Sequence, residues 1–291
     1  MLMRARMWCV FVFVFPLHAQ IKDIYTITEL LHYLDPAVAP ERTLIIFDLD
    51  NTVIASEVEA GDMLDSPQWL SAMIRQKMEI SHLTKMRALE FTLPLHFLLA
   101  PYSRFVPVEQ STVSLICLLQ EAGYRIIALT ARSPQYLQLY TRQGLCNIGI
   151  DFSKACIGTG NYVLHERFQY AHGIIFVAGG HKGDRLLQVL ETVDYMPDYI
   201  IAVDDKDYCL YELEGTLKQY GIRHTCLWYH FCDESVHTYD IKQSQATFEV
   251  LCARDPLLHD AYQIWLQEEV HEKHAYSQTY TLAHGAATSR L

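Results

Sequence analysis

This chain of 291 residues has no CxxC pair, no cysteine–histidine spacing suited to zinc and no run of basic residues. The first two absences leave no zinc framework to read. The third, with a formal net charge of -11, removes nucleic acid from the expected partners, because a groove for a phosphate backbone would be basic. An acidic protein can still take a phosphate monoester if it concentrates positive charge locally, through a metal or a few cations. Internal repeats and low-complexity tracts are also missing. About half the residues are apolar, enough to bury a full core in one large domain, with or without a small accessory module.

The N-terminus has the order of an export signal. Arg4 and Arg6 precede an apolar run from Trp8 to Leu17, and Ala19 offers a small residue for cleavage. The run is about half the roughly twenty residues a bilayer span needs, so no stable membrane span is expected after cleavage. An uncleaved anchor is the alternative reading. Residues 1–19 are thus expected to be a signal peptide and the mature chain to be periplasmic or secreted. Eight cysteines become seven if Cys9 is removed, and an odd number cannot all pair within one chain. Cys226 and Cys232 flank the end of an expected strand and could pair in an oxidising compartment.

Beyond this segment, short apolar runs alternate with amphipathic stretches, a pattern that predicts an α/β fold with a parallel sheet covered by helices. Strands are expected at Thr43 to Phe47, Arg125 to Leu129, Tyr199 to Val203 and His224 to Tyr229. Helices are expected after Pro107 (closed by Gly123), after Ser133-Pro134 (with Gly144 beyond it), after Gly183, and from Tyr208 to Tyr220. The stretch 57–106 is too long for a loop and reads as a small helical cap starting at Ser66-Pro67. Tyr162 to Val177 reads as a hairpin turning at Gln169 to His172. A core of 20–56 and 107–232 is followed by a helical extension over 233–273, opening near Asp255-Pro256, and by a flexible tail over 274–291.

Three expected strands end in residues able to do phosphate or metal chemistry: Asp48, Thr130 and Asp204. In an open parallel sheet, ligands bind beyond the carboxyl ends of the strands, so residues far apart in sequence should meet in one crevice. Asp48 and Asp50 lie two apart at the first of these ends. Two buried carboxylates repel each other, and a divalent cation relieves the repulsion. Mg²⁺ suits such a site because it prefers oxygen ligands, few carboxylates, and a share of water and substrate phosphate. Asp204-Asp205 offers further acidic ligands. Thr130 can hydrogen-bond a phosphate, and Lys182, just ahead of a helix, can offset its charge. Arg132 can touch substrate phosphate or pair with a carboxylate such as Asp151. Gln68 and Trp69 could line a pocket under the cap, or Trp69 could be core.

Asp48-Leu49-Asp50-Asn51-Thr52 resembles the first motif of the haloacid-dehalogenase-like (HAD) superfamily. Thr130, Lys182 and Asp204-Asp205 resemble its second, third and fourth motifs, in order, over Thr43 to Tyr229. The N-terminal signal and Ser66-Pro67-Gln68-Trp69 are also similar to an exported branch of that superfamily. The resemblance implies a three-layer Rossmann-like HAD core and a Mg²⁺-dependent phosphate monoester hydrolase acting on a small phosphorylated substrate. Asp48 would be the nucleophile and Asp50 the general acid and base. Mg²⁺ would be held by the Asp48 carboxylate, the Asp50 main-chain carbonyl and Asp204. Thr130 and Lys182 would hold the phosphoryl group. Asp205 would support the metal ligands from behind or anchor Lys182. An acid at position 50 distinguishes the superfamily's phosphatases from its dehalogenases. A phosphotransferase with the same residues, or an exported module that binds a phosphorylated ligand or a protein without turnover, are the alternatives.

Overall fold

The computed structural model describes residues 21–57, 66–158 and 160–267. The signal-like segment, the tail over 274–291 and the extension's reach to Lys273 lie outside these residues.

An eight-stranded sheet, six of its strands parallel, forms the centre. Its strands are β1 (Ile21–Ile24), β2 (Thr43–Phe47), β5 (Arg125–Thr130), β6 (Tyr162–His165), β7 (Phe168–Ala171), β8 (Ile174–Phe176), β9 (Tyr199–Asp204) and β10 (His224–Tyr229). The spatial order is β1-β10-β9-β2-β5-β8-β7-β6. The four strands expected from sequence are present as neighbours. β1 is an additional edge strand; only four residues long, it carries too little pattern to be read. In the 162–177 region the chain turns twice, at Glu166-Arg167 and at His172-Gly173, so Gln169 to Ala171 are strand rather than turn.

Residues buried on both faces explain the continuous apolar strands. Alternate side chains point to opposite sides. Ile45, Phe47, Ile126, Ala128, Ile201 and Val203 meet α3 (Gln110–Glu121) and the short helical turn 27–33. Leu44, Ile46, Ile127, Leu129, Ile200 and Ala202 meet α5 (Lys182–Thr192) and α6 (Asp207–Gln219). The chain thus forms an α/β fold with helices on both sides of a mostly parallel sheet.

Two helix boundaries differ from expectation. Pro107 ends β4 (Arg104–Pro107), an antiparallel partner of β3 (Ile54–Glu57), and α3 starts at Gln110. Pairing with Ile54, far upstream on β3, overrides the local helix-start signal. The helix α4 (Pro134–Asn147) runs through Gly144 rather than stopping before it. A Cβ there would lie 2.4 Å from the Phe105 ring, so this glycine marks close packing. Cys226 and Cys232 are both free, Cys226 buried within the sheet.

The β3–β4 ribbon leads to α1 (Pro67–Ser81) and α2 (Lys85–Leu99). Ser66 caps α1 by accepting from the Trp69 N–H, and Thr84 caps α2 by accepting from Arg87. After β10 come α7 (Asp233–Thr238), α8 (Ile241–Arg254) and α9 (Pro256–Leu266). Asp255 opens α9 with its side chain, as the Asp-Pro signal predicts. Trp69, Met73, Phe91 and Leu95 share one apolar cluster with Phe248, Leu251, Leu258 and Trp265. The two helical segments, separate in sequence, therefore bury a common core.

Candidate active site

β2 lies between β5 on one side and β9 on the other. The connection order reverses there, and this is the topological position where α/β sheets bind ligands. Asp48 follows the last residue of β2, Thr130 ends β5 and Asp204 ends β9.

The chain leaves β2 through a turn wound on one carbonyl. Leu49 O accepts from the N–H groups of Thr52, Val53 and Ile54, and the Asn51 N–H donates to Ile54 O. Asn51 sits at φ 63°, a left-handed conformation that asparagine tolerates better than most residues. The turn therefore sends Asp48 and Asp50 to the sheet's end and the chain onward into the β3–β4 ribbon.

Lys182 is buried and bridges two of the acids. Its Nζ donates to Asp48 Oδ1 and to Asp204 Oδ2, each at 2.6 Å. Its main-chain N–H donates to the Glu212 carboxylate on α6, which helps fix the start of α5. Gly183 allows α5 to approach α6, since a Cβ there would lie 2.4 Å from Thr216 Oγ1. Burial and the neighbouring acids push the carboxyls of Asp48 and Asp204 upward against the pull of Lys182. Lys182 itself is held firmly protonated between them, although burial opposes its charge.

Asp205 does not anchor Lys182. Its Oδ2 accepts from Lys206 Nζ at 2.6 Å and from Asn51 Nδ2 at 3.2 Å. Burial pushes its carboxyl up to about 6, with Asp48 adding to the rise. Asn51 Oδ1 in turn accepts from Gln68 Nε2 at 3.0 Å, so α1 is tied to the crevice through one side chain. Trp69, by contrast, is wholly buried in the apolar cluster of α1, α2, α8 and α9.

Arg132 pairs with a carboxylate, and that carboxylate is Asp50 rather than Asp151. Its Nε and Nη2 reach the two Asp50 oxygens at 2.9 and 2.7 Å. Asp151 instead accepts from Ser153 to start a short helical turn. Burial works to raise the Asp50 carboxyl, but Arg132 outweighs it and holds the group below the ordinary range. The Arg132 N–H donates to Thr130 Oγ1 at 3.2 Å.

Asp48, Asp204 and Asp205 each place a carboxylate oxygen within 4.8 Å of the others. Four acids (Asp48, Asp50, Asp204, Asp205) face three cations (Lys182, Arg132, Lys206). Three buried carboxyls that resist ionisation, arranged around one point, form an oxygen donor set that fits a hard divalent cation. Sequence reasoning missed Lys206 and Asn51. Lys206 had a signal, a cation directly after two acids. Asn51 had a weaker one, since asparagine in a turn after two carboxylates favours positive φ.

The fold and this crevice define an α/β protein with a buried acid–lysine cluster at the carboxyl ends of its parallel strands. The chain belongs to the family described as "Protein of unknown function (DUF2608)", whose family model matches residues 21–278. A search of the curated proteins finds no match.

Proposed function

We propose that this protein is a Mg²⁺-dependent phosphate monoester hydrolase of the HAD type, working through an aspartyl-phosphate on Asp48. The observation that carries this reading is the Asp48, Asp204 and Asp205 cluster, with Lys182 bridging two of its members. The Asp48 carboxylate attacks phosphorus and the bond to the leaving oxygen breaks; because Arg132 keeps Asp50 ionised at rest, the proton that Asp50 passes to that oxygen enters with the ester in its monoanionic form. Water then attacks the aspartyl-phosphate as Asp50 takes a proton, and the Asp48 carboxylate is regenerated. Asp48, Asp204 and the Asp50 main-chain carbonyl would hold Mg²⁺, with Asp205 supporting them. The ion supplies neutralisation of phosphate and carboxylate charge. Lys182 and Thr130 hold the phosphoryl oxygens, as a reaction governed by positioning and electrostatics requires. The helices α1 and α2 serve as the cap, with Gln68 reaching the crevice through Asn51.

The substrate is a small phosphorylated molecule, and the N-terminal segment directs the protein to the periplasm or outside the cell. No helix among the described residues is long and apolar enough to cross a membrane.

Hydrolysis of an aryl phosphate by the full chain, with Mg²⁺ and with EDTA, tests the proposal. Turnover is expected only with the metal, and Asp48→Asn should lower it by at least about 10³-fold. Mg²⁺ should also raise the melting temperature of the wild type. Turnover that survives Asp48→Asn, or none from wild type across pH and divalent metals, would sink the hydrolase reading. Phosphate appearing on an added alcohol instead of in solution would make the protein a phosphotransferase.

A further inference from the structure

Lys182 serves Asp48 and Asp204, Lys206 serves Asp205, and Asp50 is served by Arg132. The Arg132 contact has the two-point fork geometry that a lysine cannot reproduce. The guanidinium is itself fixed from several sides. Its Nη1 donates to Thr141 Oγ1 on α4 at 3.3 Å, and its Nη2 reaches Ser56 Oγ on β3 at 3.4 Å. Its carbon lies 4.7 Å from the centre of the Phe105 ring on β4, a favourable stacking of cation on aromatic face. Arg132 is buried, whereas the Asp50 side chain keeps 22 % of its surface exposed. Each Asp50 oxygen still has a lone pair beyond the one Arg132 occupies.

We propose that Arg132 is the positioning residue for Asp50, and that through Ser56 and Phe105 it ties the Asp50 carboxylate to the ribbon that carries α1 and α2. The proposal rests on the reading of Asp50 as the acid and base of ester hydrolysis. Proton donation matters little when the leaving group is stable as an anion and much when it is not. A misaligned Asp50 should therefore penalise poor leaving groups selectively, which a general structural defect would not do.

The test is a series of aryl phosphates with progressively less acidic phenols, ending in an alkyl phosphate, turned over by the full chain with Mg²⁺. For Arg132→Lys, the loss in kcat/KM, which reports the ester-cleaving step alone, should grow along the series to about 10³-fold for the alkyl phosphate, within the roughly 10²–10⁴-fold that a positioned acid contributes. KM should change by less than about threefold, as expected for an interaction made in the transition state. In an Asp50→Asn background, Arg132→Lys should cost no more than about twofold further, because the two residues act as one unit. Phe105→Leu keeps the ion pair and removes the ring, and should show the same trend at smaller size. It carries the test if melting curves show that Arg132→Lys does not fold.

Equal losses along the series, additive losses in the double variant, or a raised KM with kcat kept would overturn the proposal. The last outcome would put Arg132 on the substrate phosphate itself. A wild type without turnover, or turnover surviving Asp48→Asn, would remove the hydrolase reading and this proposal with it. A working hydrolase with a flat Arg132→Lys series would remove this proposal alone.

Discussion

Lys182 neutralises two buried carboxylates at once, so its removal separates charge from packing. Lys182→Met keeps most of the stem and leaves Asp48 and Asp204 without their shared cation. Uncompensated buried charge costs about 3–5 kcal/mol, part of which protonation relieves, because both carboxyls are already pushed upward by burial. We expect metal-free Lys182→Met to lose about 3 kcal/mol at pH 7 and distinctly less at pH 5. The sign follows from linkage. A carboxyl with a raised folded pKa binds protons more tightly when folded, so lowering the pH favours the folded variant. Urea unfolding in EDTA at both pH values measures this, and an equal loss at the two would mean that the carboxylates are not in electrostatic contact with Lys182.

At the scale of elements, the junction of β1, β10 and α7 is held by one histidine. His230 Nε2 lies 3.1 Å from Asp23 Oδ1 on β1, and its Nδ1 lies 2.7 Å from Asp233 Oδ2 on α7. Burial works against its charge, but the two carboxylates outweigh it and raise its pKa above the ordinary imidazole value. The stabilisation is fully present below the unfolded pKa, near 6.5, and is lost as pH rises through the higher folded value. Because Asp23 and Asp233 are half exposed, it should amount to less than about 1 kcal/mol. An NMR titration of the His230 ring should give a midpoint above that of a model peptide, and His230→Gln should flatten the change in stability over this window. A midpoint at or below the peptide value would contradict the pairing.

For the molecule as a whole, the helices after β10 complete the apolar core of α1 and α2. Trp265 is almost wholly buried there. Lys77 on α1 is fully buried beneath it and donates to the main-chain oxygens of Trp265 and Gln267 at 2.5 and 2.9 Å. Tyr102 OH donates to Asp255 at 2.6 Å and adds a second tie. The stack of Phe97 on Tyr136 of α4, with ring centres 4.4 Å apart, joins this body to the sheet-covering helices. Trp265→Ala should therefore destabilise the protein by about 3–5 kcal/mol, as read by chemical denaturation. A loss under about 1 kcal/mol would mean that α9 merely rests on the surface of α1 and α2.

The amino-acid sequence by itself determined the α/β class and the strands that carry Asp48, Thr130 and Asp204. Strands buried on both faces leave continuous apolar runs, and a polar residue at the end of such a run stands out locally. Lys182 was legible for the same reason, as a cation beside a helix start. Tertiary structure alone decided the rest. The Arg132–Asp50 pair spans 82 residues and exists because β2 and β5 are neighbours, so the sequence left substrate phosphate and a carboxylate such as Asp151 open as partners of Arg132 and did not point to Asp50. Pro107 carried a helix-start signal that strand pairing overrode. Gly144 carried a helix-stop signal that the Phe105 ring turned into a packing requirement. The union of α1 and α2 with α8 and α9 had no local trace, because an amphipathic stripe records that a helix is covered and not by what.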